Sequence, residues 1–187
     1  RGQGTYGWIT YDAINGAGKY LTLNNTHGAV SDTGMWSNTA PTSSVFSLSN
    51  GGNTVATNPN GITMVAYCFH SVKGYSKIGS YKGTGAEPSS FSYCGFKPSF
   101  VLTKRTDTSG SWVIQDNKRP GYNETSLDLN PNVSEAEETN NGIDMLSNGF
   151  VQRNTDSHTN ASGGTYIFYT VAESPFTNSI GIPTNAR

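Results

Sequence analysis

Charge, cysteine and long apolar runs are all scarce in this chain, and each scarcity removes a class of function. Only 13% of the 187 residues are charged, with 12 Lys and Arg set against 13 Asp and Glu. A chain so balanced has no basic field to collect phosphates, so nucleic acid is not expected as a partner. The longest apolar stretch, "ITMVAYCF" at 62–69, is far short of the roughly 20 residues a spanning helix needs, and no membrane insertion is expected. Two cysteines, Cys68 and Cys94, are too few for a disulfide scaffold and match no zinc spacing. Both are expected to be free thiols packed as small hydrophobes. His27, His70 and His158 are scattered, with no local spacing that presents two of them to one metal.

Glycine is abundant at 22 residues, with 10 Tyr and 8 Phe, and Asn, Ser and Thr crowd the segments between apolar runs. That composition suits short strands joined by tight turns, and the chain reads as all-β. "FVLTKR", "SWVIQD", "SLDLN", "GFVQRN" and "TYIFYTVA" are expected as strands, and Asp107, Gly110, Asn117 and Gly121 as turn punctuation. The mixture of alternating and continuous apolar residues in "FVLTKR" and "WVIQD" predicts strands with one face in a sandwich core and the other partly covered. Only 132–147 has helix-friendly composition, with Ser134 and Glu137 spaced as a capping box, so at most one brief helix is expected there.

One phrase is written twice. "GWITYD" at 7–12 and "SWVIQD" at 111–116 place Trp8 and Trp112, and Asp12 and Asp116, 104 residues apart. The correspondence persists downstream: "LTLN" at 21–24 pairs with "LDLN" at 127–130, Phe46 with Phe150, and "TNPNGITMVAYCF" at 57–69 with "TNASGGTYIFYTV" at 159–171. The drift in spacing is that of loop insertions between two copies of one unit. The segment 78–110, with "FSYCGF" and "SFVLTKR", has no counterpart before Gly7. The expected organisation is therefore two tandem β-sandwich-like units, with residues 1–77 an incomplete first unit lacking its leading strands, 78–173 a complete second one and 174–187 a tail. The native chain is expected to extend upstream of Arg1.

Catalytic templates mostly fail. "NGAGKY" at 15–20 lacks the Gly and the Ser or Thr of a phosphate loop, having Ala13 and Tyr20 there, and reads as a glycine turn between strands. Asp128, Asn130 and Asn132 alternate as in a calcium loop, but Val133 and Thr139 stand where Gly and Glu are needed. No cofactor or metal is therefore expected. Asp12, Asp116, Asp144, Glu135, Glu137, Glu138 and Glu173 could form a glycosidase pair only in three dimensions. Asp12 and Asp116, in repeated positions, are expected instead to satisfy backbone N–H groups at strand ends. Trp8 and Trp112 open apolar strands and are expected in the core, Trp36 in a polar loop on the surface. Asn24, Asn123, Asn132 and Asn160 begin glycosylation sequons that such a composition produces by chance.

The stretches "GYSKIGSYKGTG" at 74–85, "GFKPSFVLTKRTDTSGSWVIQD" at 95–116, "LSNGFVQRNTDSHTNASGGTYIFYTVAESPF" at 146–176 and "APTSSVFSLS" at 40–49 resemble the tandem β-rich repeats of tail-fibre-like and other virion-associated proteins of marine and cyanobacterial tailed phages, as does the closing "GIPTNAR". The resemblance implies a non-enzymatic virion structural protein, a tail-fibre or appendage module on the particle exterior that serves host-surface attachment. It implies as partners other copies of the chain, as a homotrimer, other virion proteins, and a host-surface glycan or protein. It supplies no catalytic residues. A capsid or tail decoration protein and a glycan-cleaving β-sandwich enzyme are the alternatives.

Overall fold

The computed structural model describes residues 7–49, 57–119, 123, 125–175 and 179. The described chain is all-β and has no helix. β1 (Ile9–Thr10), β2 (Lys19–Thr22) and β3 (Val30–Ser31) form one antiparallel sheet in the order β1-β2-β3. β4 (Ser76–Lys82), β6 (Pro98–Arg105), β7 (Trp112–Asp116) and β10 (Thr165–Ala172) form a second, in the order β4-β10-β6-β7. β5 (Ser92–Tyr93), β8 (Ile143–Leu146) and β9 (Gly149–Gln152) form the third, in the order β5-β9-β8.

The four-stranded sheet is the middle layer, because alternate residues of its strands enter two different cores. On one face Val101 and Phe168 meet Cys94, Phe96, Ile143, Met145 and Phe150 from the β5-β9-β8 side. Phe150 and Phe168 stand edge to face at 5.2 Å, the arrangement the ring quadrupole favours. Each fully buried side chain of this size contributes roughly 1.5–3 kcal/mol of burial. Phe168 needs the glycine opposite it in register, Gly79: a Cβ there would lie 2.5 Å from the ring. On the other face Trp112 and Ile167 pack with Leu21, and Leu102, Leu23 and Ala29 flank them. β6 and β7 are thus covered on both faces, as their mixed apolar pattern predicts.

Polar bonds lock the first sheet to the second. The indole N–H of Trp112 donates to Thr22 O at 3.0 Å. Ala29 N donates to Thr106 O and Gly110 N to Thr26 O, both at 2.8 Å. Lys104, with no exposed surface, donates from Nζ to Thr26 O at 2.9 Å and to Gly110 O at 2.5 Å.

Residues 132–147, where at most one brief helix is expected, form none: Glu138 bridges Asp128, Glu137 is held by Arg119, and Ile143–Leu146 is β8. Other expectations are corrected. "SLDLN" is not a full strand but carries two single bridges, Asp128 to Glu138 and Leu129 to Ile114, just after a third from Thr125 to Ile143. "SKIGSYK", unremarkable in composition, is the seven-residue β4, held in register along β10. Trp36 is buried, because its indole N–H reaches Lys19 O at 3.0 Å and its ring meets Tyr11 edge-on. Trp8 is only half-buried, and Cys68 is exposed while Cys94 is buried. The expected turn at Gly121 and most of the tail at 174–187 lie outside the described residues.

Candidate functional site

The echoing stretches do the same structural work. Trp8 N donates to Asn24 Oδ1 and Trp112 N to Asn132 Oδ1, each at 2.7 Å. Asp12 Oδ1 accepts from Asn15 N at 2.8 Å, and Asp116 Oδ1 from Arg119 N at 3.2 Å and Lys118 N at 2.9 Å. Both carboxylates therefore cap the turn after a strand, as their repetition predicts. The pairing of Thr10 with Leu21 and of Ile114 with Leu129 corrects the register of the echo. The counterpart of 21–24 is 129–132, at a spacing of 108, and not 127–130.

The other candidate groups are dispersed or already engaged. Arg119 bridges Asp116 Oδ2, at 2.7 Å, and Glu137. Burial would push the Asp116 carboxyl up, but the guanidinium and the Lys118 N–H outweigh it and hold it below the usual range. A carboxylate kept ionised in this way is not a general acid. Glu173 pairs with Lys97 at 2.9 Å, Asp144 with Arg153 at 3.4 Å, and Glu138 accepts from Asn140, while Glu135 is exposed. The histidines stay apart: His27 bonds Thr22 and Gly28, His70 bonds Ser71, and His158 Nδ1 accepts from Ser111 N. Among the described residues no group of three or more His, Cys, Asp or Glu is placed to hold a metal. "NGAGKY" closes the turn between β1 and β2 and runs into β2 at Lys19.

A buried polar cluster that sequence patterning does not single out ties β7 and β9 to the loops at Asp128, Asn141 and Asn154–Asn160. Gln115 donates to Asn141 O, and Asn141 Nδ2 to Asp128 Oδ2 at 3.0 Å. Thr159 Oγ1 donates to Asn154 Oδ1 at 2.8 Å, and Asn160 Nδ2 to Asn154 O at 2.6 Å. Asp128 has no exposed surface, and burial pushes its carboxyl up despite the Asn141 bond. Enclosed amides and a single sealed carboxyl can fix loop geometry but cannot touch a substrate. Asn160, wholly buried, offers its sequon no room for a glycan; Asn123 Nδ2 donates to Met145 O and Asn132 Nδ2 to Ser111 Oγ, while Asn24 is exposed and accepts from Trp8 N through Oδ1.

The open surface chemistry lies elsewhere. The turn Ser71–Lys77 and the β5 edge at Tyr93–Gly95 enclose a concavity of about 310 Å³. Lys73 and Lys77 stand on one wall and Tyr93, 64% exposed, on the other. Phe91, on the same outer side of β5, is also exposed, because Ser92 between them takes the inward position. A planar ring beside two ammonium groups can stack on a sugar ring and hydrogen-bond its hydroxyls or a carboxylate.

The family described as a domain of unknown function, DUF7483, matches residues 1–175. The chain belongs to that family. The DUF7483 match runs through both echoing stretches and all three sheets. No curated protein and no solved structure matches the chain.

Proposed function

We propose that this DUF7483 chain is a non-enzymatic virion structural protein, a tail-fibre or appendage module displayed on the particle exterior for attachment to a host surface. The observation that carries the reading is the concavity with Lys73 and Lys77 facing the exposed Tyr93. Its chemistry fits a host-surface glycan, and an acidic one best, since among the described residues neither lysine is paired with a carboxylate. The echoing units support it further, because repeated β-units add length and contact area without new design. On this reading the partners are other copies of the chain, arranged as a trimer, and other virion proteins.

The test is attachment by the purified chain to host cells. Tyr93→Ala and the double change Lys73→Ala with Lys77→Ala are each expected to weaken cell binding at least about tenfold while leaving the unfolding midpoint unchanged. Unchanged binding by both variants would sink this site, and wild-type protein that ignores host cells would sink attachment itself and favour the decoration role.

A further inference from the structure

Residues 57–69 and 159–171 share more than composition. Gly61 and Gly163, 102 apart, both turn at φ 71°. Thr57 and Thr159, also 102 apart, are both buried and both donate from Oγ1, to Met35 O at 3.2 Å and to Asn154 Oδ1 at 2.8 Å. The chain then leaves the two turns to different fates. After Gly163 it becomes β10, paired along its whole length with β4 on one side and β6 on the other. After Gly61 it runs through Phe69 without turn or bend, with a bridge at Met64, and among the described residues no backbone N–H or C=O of Ala66, Tyr67, Cys68 or Phe69 is hydrogen-bonded.

Those four residues are counterparts of Phe168, Tyr169, Thr170 and Val171, which pair with Gly79 to Ser76 of β4 and Thr103 to Phe100 of β6. Tyr67 is 70% exposed and Phe69 62%, although each already leans on an aromatic neighbour, Trp8 at 6.1 Å and Tyr169 at 5.2 Å. Stable sheet edges carry charge or proline to prevent pairing. The edge strand β4 has Lys77 and Lys82, whereas no residue from 60 to 69 is charged or is proline.

We propose that Ala66–Phe69 is the acceptor strand of an incomplete sheet, and that its occupant is a pair of extended polypeptide segments of the β4 and β6 kind, one on each side. Main-chain bonds to such segments supply affinity, and alternate apolar side chains supply register. This acceptor is independent of the concavity at Tyr93.

The probe is a synthetic peptide copying residues 76–105, which holds both strands and their connection, added to the full chain under reducing conditions. Amide hydrogen exchange at 66–69 is expected to slow at least tenfold and saturably with this peptide, with no change at 165–172. A scrambled peptide is expected to do nothing. Ala66→Pro, at an unpaired position, is expected to keep the unfolding midpoint and lose the peptide effect, and Cys68→Lys to weaken it. Three results would overturn the proposal. They are no slowing at saturating peptide, equal slowing with the scrambled sequence, or amides 66–69 already protected in a dimer of the chain alone, which would make a second copy the occupant.

Discussion

Replacing Lys104 by Met removes a cation that the fold buries without a carboxylate, and the consequence is readable in pH. Lys104 Nζ donates to two carbonyls, Thr26 O and Gly110 O, and burial lowers its pKa from 10.5 to about 8. The unfolded chain therefore binds this proton more readily than the folded one between those values, and stability rises with pH across the window. At about 1.4 kcal/mol per pH unit, the fall from 10.5 to about 8 amounts to about 3 kcal/mol, absent below pH 8 and fully present above 10.5. In Lys104→Met the Thr26 carbonyl keeps the Gly110 N–H at 2.8 Å. Gly110 O loses its Lys104 donor, at a cost of about 1–3 kcal/mol. At pH 7 that loss and the relieved cation nearly cancel, and the two proteins are expected within about 2 kcal/mol of each other. From pH 7.5 to 10.5 the wild type should then gain about 3 kcal/mol relative to the variant. Urea unfolding followed by tryptophan fluorescence at a series of pH values measures this difference, and slopes common to both proteins drop out. A difference that stays flat with pH refutes the assignment of a buried, charged Lys104 at the junction of the two sheets.

Three further outcomes are expected. Asp128→Asn should leave stability at pH 7 within about 1 kcal/mol or raise it, because it removes a buried carboxyl whose pKa is raised. A raised carboxyl stabilises below its unfolded pKa and loses that contribution as pH rises, so the advantage of Asn should grow from pH 4 to 7 in urea titrations. Gly149→Ala places a Cβ 2.1 Å from the backbone oxygen of Ser92, and should cost about 3 kcal/mol or more in thermal or urea unfolding. Cys68 should be alkylated by iodoacetamide in the native protein while Cys94 resists until unfolding, because Cys94 is buried and its thiol is pushed up to about 11.

What could be read from the sequence was what local chemistry decides. "SWVIQD" and "TYIFYTVA" are strands because β-branched and aromatic residues fit a pleated surface covered on both sides. Asp12 and Asp116 cap turns because a short carboxylate reaches the N–H groups two or three residues on. What sequence misplaced was decided at a distance. Trp36 sits in a polar loop yet is buried, since its partner, Lys19 O, lies 17 residues away. Ser134 and Glu137 have capping-box spacing, but Arg119 captures the glutamate and Asp128 pairs with Glu138. β4, rich in Ser, Gly and Lys, is a strand because β10 aligns it and Phe168 covers Gly79. The concavity at Tyr93 joins residues of two separate turns and has no linear signature; the exposed side of β5, with Phe91 and Tyr93 alternating about Ser92, was its one local trace.

The central claim is that the chain is an exterior attachment module of a virus particle. Cryo-electron microscopy of the intact particle, with an antibody fragment raised against the Ser71–Lys77 turn as a marker, tests it most directly. Marker density at a tail fibre or appendage, with the turn facing outward, is the predicted result. Density over the head shell, or particles that bear no marker at all, would contradict the account.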